Sequence, residues 1–171
     1  MRDSPTVELL VDKEARRLDV LVDGALAHSH AVRLGRNAAI DKAVEGDCAT
    51  PLGRFYVCAR NPRSKFYLSL CLSYPNIEDA DRGVAAGLIG PDEHAQIVEA
   101  IHLGKVPPQH TRLGGEIYIH GEGPGGADPD GTRGCIALDN DAMREVYELA
   151  AIGTPVRIVT RLPPKDGPAP R

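Results

Sequence analysis

The sequence lacks several features that would assign it to a common class of protein. No apolar run approaches the roughly 20 residues that a helix needs to cross a bilayer. No stripe of lysine and arginine is present and the formal net charge is −4, which argues against a nucleic-acid partner. The chain also shows no internal repeat, which argues against a repeat architecture.

The start of the chain has no evident targeting segment. Residues 1–5 lack the charged, apolar and small-residue regions of a signal peptide. We therefore expect either a protein without a leader or a mature form that carries a new initiator methionine.

The cysteines show no CxxC spacing. An even number of cysteines in an exported protein can mean disulfides, but a domain of this size does not need them. We expect Cys48, Cys58 and Cys71 to be small, partly buried hydrophobic residues, and the sequence does not decide whether they pair. The fourth cysteine, Cys135, stands in a different context that is described below.

Length and composition indicate one strand-rich domain. The 171 residues suffice for a single domain with its own core. Glycine (18 residues) and proline (14 residues) are frequent, which indicates many turns. We expect the domain to span residues 1–161 and the proline-rich residues 162–171 to form a disordered tail.

The first half of the chain has the alternation and the turn signals of β-strands. Asp23-Gly24 is a hairpin signal between two apolar runs. The polar, irregular residues 35–50 predict a surface loop. The predicted strands of this part cover residues 7–11, 18–22, 25–34, 55–58 and 66–72.

The second half mixes helices with short strands and a glycine-rich loop. Pro91 suits the first turn of a helix, and Asp139 or Asn140 can cap a later one. The predicted helices cover residues 79–88 and 91–103 and a segment after the cap that ends at Gly153. The predicted strands cover residues 116–120 and 154–160, and residues 121–131 predict the loop.

Two segments contain the residue types of cysteine catalysis. His120 ends a predicted strand before the glycine-rich loop, and Cys135 follows Gly134 just before an apolar segment. A free thiol has a pKa of about 8.5, so a neighbouring imidazole is needed to take its proton at neutral pH. Loop glycines let backbone amides approach a reacting carbonyl and stabilise its oxyanion. The residues therefore suit acyl transfer through a thioester, although a lone cysteine–histidine coincidence is more often structural.

The order and spacing of these residues resemble the signature of a known family. Ile119-His120-Gly121, ten intervening residues and Thr132-Arg133-Gly134-Cys135-Ile136 look like the histidine–glycine pair, variable loop and Ser/Thr-x-Gly-Cys of the L,D-transpeptidase catalytic domain, the YkuD-like family. Residues 50–55 resemble its Thr-Pro-x-Gly-x-Phe strand opening. Residues 69–76, 114–117 and 153–156 look like a subgroup whose motif reads Gly-Cys-Ile-Ala-Leu. The resemblance runs from about residue 7 to residue 159.

The resemblance implies a fold and a set of roles. The fold would be mainly β, a curved mixed sheet or sandwich with a helical insertion and a helix after the nucleophile. Cys135 would be the nucleophile and His120 its base, and the backbone region of Thr132 would orient the histidine. The amides of Gly134 and Cys135 would lie near the oxyanion.

The resemblance also implies the reaction. The donor would be a peptidoglycan tetrapeptide stem, attacked at the carbonyl of its third, diamino residue with release of the terminal D-alanine. An amine from another stem or from a lipoprotein would resolve the thioester, whereas water would make the enzyme an L,D-carboxypeptidase or endopeptidase. Carbapenems would acylate the cysteine, and no metal or organic cofactor is expected. The family places such an enzyme in the periplasm or cell envelope, with a cytoplasmic form left open.

The chain departs from many members at two positions. Arg133 replaces a histidine and Ala137 replaces an arginine, and both positions affect substrate binding near the thiol. Arg133 could supply the missing cation, since a guanidinium suits carboxylates. We also expect substrate contacts from Gly121, Tyr118 and Arg54.

Other polar residues have simpler explanations. His28 and His30 could ligate zinc, but a half-solvated strand face explains them better. We expect His102 and His110 to lie on the surface, although both could line the cleft. The alternatives to an enzyme are a non-catalytic peptidoglycan-binding or redox-sensing domain, and a zinc protein that uses Cys135, His120 and His110.

Overall fold

A computed structural model describes residues 3–163, which form an eight-stranded mixed sheet with three helices. The sheet order is β3-β2-β1-β8-β4-β5-β6-β7. The strands are β1 (Val7–Asp12), β2 (Arg17–Val22), β3 (Ala25–Ala31), β4 (Gly53–Ser64), β5 (Tyr67–Leu72), β6 (Tyr118–His120), β7 (Ile136–Ala137) and β8 (Pro155–Val159). The helices are α1 (Ile77–Ala85), α2 (Pro91–His102) and α3 (Asn140–Leu149).

The sheet curls because its two ends meet. The chain that leaves β3 forms an antiparallel bridge from Arg33 to Ala137 in β7 and a parallel bridge from Gly35 to Thr132. Strands β3 and β7 are the first and last in the sheet order, so these bridges connect opposite edges. The turn that carries Cys135 is therefore held from both sides.

Strand β8 joins the two halves of the sheet. It runs parallel to β1 on one side and antiparallel to β4 on the other, and so hydrogen-bonds the N-terminal hairpins to the rest of the sheet. Val156 and Ile158 of β8 are 1% exposed and belong to the main core. Helix α3 adds Met143 and Val146 to the same core.

The helical insertion, α1 and α2, has its own small core. Asn76 caps α1 and forms a capping box with Asp79. The buried members of this core are Ala80, Ile89, Ile97 and Leu113.

The predicted fold class is confirmed: a curved, mainly β domain with a helical insertion and a helix after Cys135. Strand β4 is longer than predicted because its polar second half pairs with β5. The strand predicted over residues 116–120 begins only at Tyr118, because Glu116 has a φ of 55°. Residues 164–171, most of the predicted tail, lie outside the described residues. The first residue of that tail, Leu162, is held to the domain, because its amide donates to Asp12 Oδ2 at 2.8 Å.

Candidate active site

Cys135 lies in the turn that leads into β7, with its thiol against the backbone before β6. Its Sγ accepts from the Tyr118 amide and donates to the Glu116 carbonyl, both at 3.4 Å. Burial raises the pKa of this thiol to about 11, and the Tyr118 amide offsets only part of that rise. The half-buried thiol is therefore protonated at neutral pH in the free protein.

A threonine hydroxyl shapes the turn around the thiol. Thr132 Oγ1 donates to the Cys135 carbonyl at 2.7 Å and accepts from the Gly134 amide at 3.0 Å. The Gly134 amide is consequently already bonded, and the Cys135 amide is the remaining candidate for the oxyanion. Thr132 thus contacts the turn that carries Cys135, while the expected orientation of the histidine by its backbone region stays a prediction.

Gly134 can only be a glycine in this conformation. Its φ is 135°, and a Cβ there would lie 2.6 Å from the Ala49 carbonyl oxygen. The buried Thr50 hydroxyl supports the same point by donating to the Gly134 carbonyl at 2.8 Å and accepting from the Gly35 amide at 3.0 Å. These contacts fix the backbone on which Cys135 is presented.

His120 ends β6 with its imidazole oriented by two neighbours. Its Nδ1 lies 2.6 Å from the Gly121 carbonyl oxygen. Because a carbonyl can only accept, Nδ1 carries the proton and Nε2 is left as an acceptor. The ring stacks on Phe66, with centroids 4.4 Å apart.

Burial lowers the pKa of His120 below its usual value of 6.5. The Gly121 carbonyl raises that pKa, and the positive charge of Arg33 lowers it again. The imidazole is therefore neutral at neutral pH, which is the state that a general base requires.

His120 and Cys135 line one cleft with a volume of about 1170 Å³. Strand β6 runs parallel to β7 with His120 opposite Ala137, so the nucleophile lies two residues back along the neighbouring strand. The structure records no hydrogen bond between the two side chains, since the thiol instead points to Glu116. Bonds of this kind often tighten only when substrate is bound.

The structure brings most of the predicted site residues to this cleft. Thr132, Arg133, Gly121 and Tyr118 line it together with the cysteine and the histidine. Gly134 lies buried beneath the thiol. Arg54 is exposed and does not line the cleft, because the cleft is formed by the other end of β4, from Ala59 onward. The structure therefore gives no support for a substrate contact by Arg54.

Several cleft residues were not recognised in the sequence. Arg33 and Glu122 form an ion pair at 3.0 Å on the cleft wall, and Phe66 packs on the imidazole. No local pattern marks them, because their partners lie far away in sequence. His110 also lines the cleft, whereas His102 lies in α2 outside it.

The remaining cysteines and histidines have structural surroundings. Cys58 and Cys71 are buried, Cys48 is half-buried, and all three are free thiols. His28 Nδ1 and His30 Nε2 both contact Glu145 Oε1 of α3, at 2.9 and 2.8 Å, on the half-buried face of β3. Within residues 3–163, no group of three or more His, Cys, Asp or Glu side chains is arranged to hold a metal ion.

Solved structures share this fold. The helical cell shape determining protein Pgp2 from Campylobacter jejuni is 23% identical with a TM-score of 0.66, over 94% of this chain and 50% of that one. Bd1075 from Bdellovibrio bacteriovorus is 20% identical with a TM-score of 0.59, over 91% and 48%. An L,D-transpeptidase from Mycobacterium smegmatis is 15% identical with a TM-score of 0.53, over 91% and 59%. The chain thus spans about half the length of the first two.

The fold is that of solved L,D-transpeptidases. The family model of the L,D-transpeptidase catalytic domain, YkuD, matches residues 6–158, so the chain belongs to that family. None of the curated proteins matches the chain. In the part of the chain that the structure describes, every helix is too short or too polar to cross a lipid bilayer.

Proposed function

We propose that the protein is a cysteine acyltransferase that cross-links peptidoglycan stem peptides or attaches them to a lipoprotein through a thioester on Cys135. One observation supports this most directly. A neutral imidazole with its Nε2 free and a cysteine thiol line the same cleft at the ends of adjacent strands. Such a substrate requires the enzyme to work in the cell envelope.

In the acylation step, His120 Nε2 takes the proton of the Cys135 thiol as Sγ attacks the carbonyl of the third stem residue. The S–C bond forms, and the C–N bond to the terminal D-alanine breaks. The imidazolium then gives its proton to the departing amine. We assign the oxyanion to the Cys135 amide, since the Gly134 amide is engaged by Thr132.

In the second step, the amine of an acceptor attacks the thioester. His120 accepts the proton that this amine loses, the new amide bond forms, and the S–C bond breaks. The thiolate is reprotonated by the imidazolium, which restores the free enzyme. Water in place of the amine would give the alternative function, an L,D-carboxypeptidase or endopeptidase.

The size of the cleft suits two stem peptides, which transfer and cleavage of a cross-link both require. Pockets for one drug-sized ligand typically have volumes of about 300–1,000 Å³. The cleft here, about 1170 Å³, is larger and leaves room for a donor and an acceptor together.

Intact-protein mass spectrometry with a carbapenem tests the nucleophile. We expect one covalent adduct on the wild type and none on Cys135→Ala. Cys48→Ala is the matched control, because Cys48 is another half-buried thiol that lines the same cleft. A wild type without an adduct favours the non-catalytic alternative, and an adduct that survives Cys135→Ala places the nucleophile elsewhere.

Purified muropeptides test the reaction. With tetrapeptide monomers we expect dimers, the product of transfer. Tripeptide monomers instead would identify a carboxypeptidase, and cleavage of supplied dimers an endopeptidase.

A further inference from the structure

Arg33 occupies the place beside Ala137 on the cleft wall. The two residues exchange both backbone hydrogen bonds, Arg33 N to Ala137 O and Ala137 N to Arg33 O, each at 2.9 Å. In such a pair the Cα atoms are about 5.5 Å apart and the side chains stand on the same face of the sheet. The small Ala137 side chain leaves that face open to the arginine.

The guanidinium of Arg33 is close to the catalytic groups proposed above. His120 lies opposite Ala137 on the other side, so arginine, alanine and histidine form a row across the sheet. The positive charge of Arg33 contributes to the lowered pKa of His120, which requires the two side chains to be near each other. Cys135 lies in the turn before β7, two residues ahead of Ala137.

Arg33 already binds a carboxylate in the cleft. Its Nη2 donates to Glu122 Oε1 at 3.0 Å, and the two side chains are 33% and 28% exposed. One such contact leaves several guanidinium N–H groups free to bind another acceptor. A partly exposed ion pair of this kind is weak, so a ligand carboxylate can join or displace Glu122 at little cost.

Three other arginines line the cleft and are placed differently. Arg60 donates to the Tyr147 carbonyl oxygen. Arg36 pairs with Asp128 at 3.1 Å, with both side chains 48% exposed. Arg133 is exposed, and the sheet pairs neither Arg36 nor Arg133 with Ala137. Arg33 is therefore the arginine whose position in the sheet ties it to the reacting groups.

We propose that Arg33 is the donor-site residue that binds a carboxylate of the stem peptide, with Glu122 holding the guanidinium in position before the substrate arrives. This inference rests on the proposed function and adds a specificity to it: the enzyme selects donors that carry a free carboxylate near the attacked carbonyl. Two donor carboxylates share this chemistry, the one on the side chain of the diamino residue and the one on the terminal D-alanine.

Binding of tetrapeptides to the Cys135→Ala variant, which cannot turn them over, tests the inference. Calorimetry would compare three tetrapeptides: the free acid, the peptide amidated on the diamino side chain, and the peptide amidated at its C-terminus. We expect one amidation to raise Kd about ten- to hundredfold, the effect of losing a charged hydrogen-bonded partner. The amidation that raises Kd identifies the carboxylate that Arg33 binds.

Arg33→Gln in the same background should raise Kd for the free acid by a similar factor and remove the difference between the peptides. Arg36→Gln is the matched control, a cleft arginine three residues away, and should keep the difference. The inference is overturned if neither amidation matters, if Arg33→Gln keeps the difference, or if Arg133→Gln removes it instead. Labelling of Cys135 by neutral iodoacetamide in the otherwise wild-type chain checks that the Arg33→Gln cleft is intact.

The pH profile of turnover separates binding from a purely structural role. Removing the charge of Arg33 should move the acid limb of kcat/KM to higher pH, because the charge lowers the pKa of His120. Arg33→Lys should restore the acid limb but only part of the preference, since an ammonium lacks the planar fork. If the wild type turns over no donor, the proposed function fails, while the binding measurements still decide the role of Arg33.

Discussion

At the scale of single residues, the thiol and the imidazole are both uncharged in the free protein. Burial raises the pKa of Cys135 to about 11 and lowers the pKa of His120 below 6.5. The cleft therefore holds a neutral pair, and no thiolate stands ready in the free protein. This pairing makes distinct predictions for the thiol and for turnover.

Alkylation of Cys135 by iodoacetamide reports the thiolate directly. We expect its rate in the free protein to rise with pH toward a midpoint of about 11, because only the thiolate reacts. Peptide mass spectrometry of a Cys48→Ala background isolates this signal from the other half-buried thiol. A rate already at its plateau below pH 6 would indicate a preformed ion pair and contradict the neutral pair.

Turnover should depend on pH through the histidine. A base must be unprotonated, so kcat/KM for a tetrapeptide should fall as the pH drops through the pKa of His120, which lies below 6.5. At pH values above this pKa, kcat/KM should stay constant up to neutral pH. An acid limb centred above 6.5 would mean that His120 is not the base or is not buried as described.

Thr132 offers a test of the nucleophile turn. Thr132→Val removes the hydroxyl but keeps the shape, leaving the Gly134 amide and the Cys135 carbonyl without their partner. Each unsatisfied polar group costs about 1–3 kcal/mol, so we expect lower stability in urea together with a lower kcat. Thr132→Ser keeps the hydroxyl and should retain both. A valine variant with wild-type kcat would show that the turn does not depend on this hydroxyl.

At the scale of elements, α3 is anchored by its cap and in turn holds the loop after His120. Asp139 Oδ1 accepts from the Ala142 amide at 2.8 Å, and Asn140 Oδ1 accepts from the Glu122 amide at 2.9 Å. We expect Asp139→Ala to lower the free energy of unfolding by about 1 kcal/mol. Asp141→Ala, which removes another acidic residue of the first turn, should cost less; equal losses in urea titrations would mean that charge and not capping matters.

At the scale of the whole molecule, the sequence predicted what depends on local pattern. Asp23-Gly24 forms its hairpin with positive φ at both residues, and Asp139 caps α3. The second half of β4 was not predicted, because Arg60 and Asn61 are polar and become strand only by pairing with Leu70 and Ser69 across β5.

The candidate site was predictable to a similar extent. The spacing of His120 and Cys135 marked them through the family resemblance, and both line one cleft, whereas their catalytic roles stay predictions. Arg33 was not recognised because its position follows from a bridge to Ala137, which closes the sheet between residues far apart in sequence. Contacts of this kind have no local signal in one sequence.

The central position of β8 predicts that the sheet unfolds as one unit. Ile158 is 1% exposed and lies between Val11 of β1 and Gly53 of β4. Ile158→Ala should lower the free energy of unfolding by about 2–5 kcal/mol, the usual cost of emptying a packed core position.

Because β8 links the N-terminal hairpins to the half that carries Cys135, both halves should be lost in a single urea transition, followed by circular dichroism and by Cys135 alkylation. Arg161→Ala, an exposed change just beyond the strand, should leave the midpoint nearly unchanged. If alkylation of Cys135 and loss of circular dichroism separate into two transitions in Ile158→Ala, the two halves are independent units and β8 does not couple them.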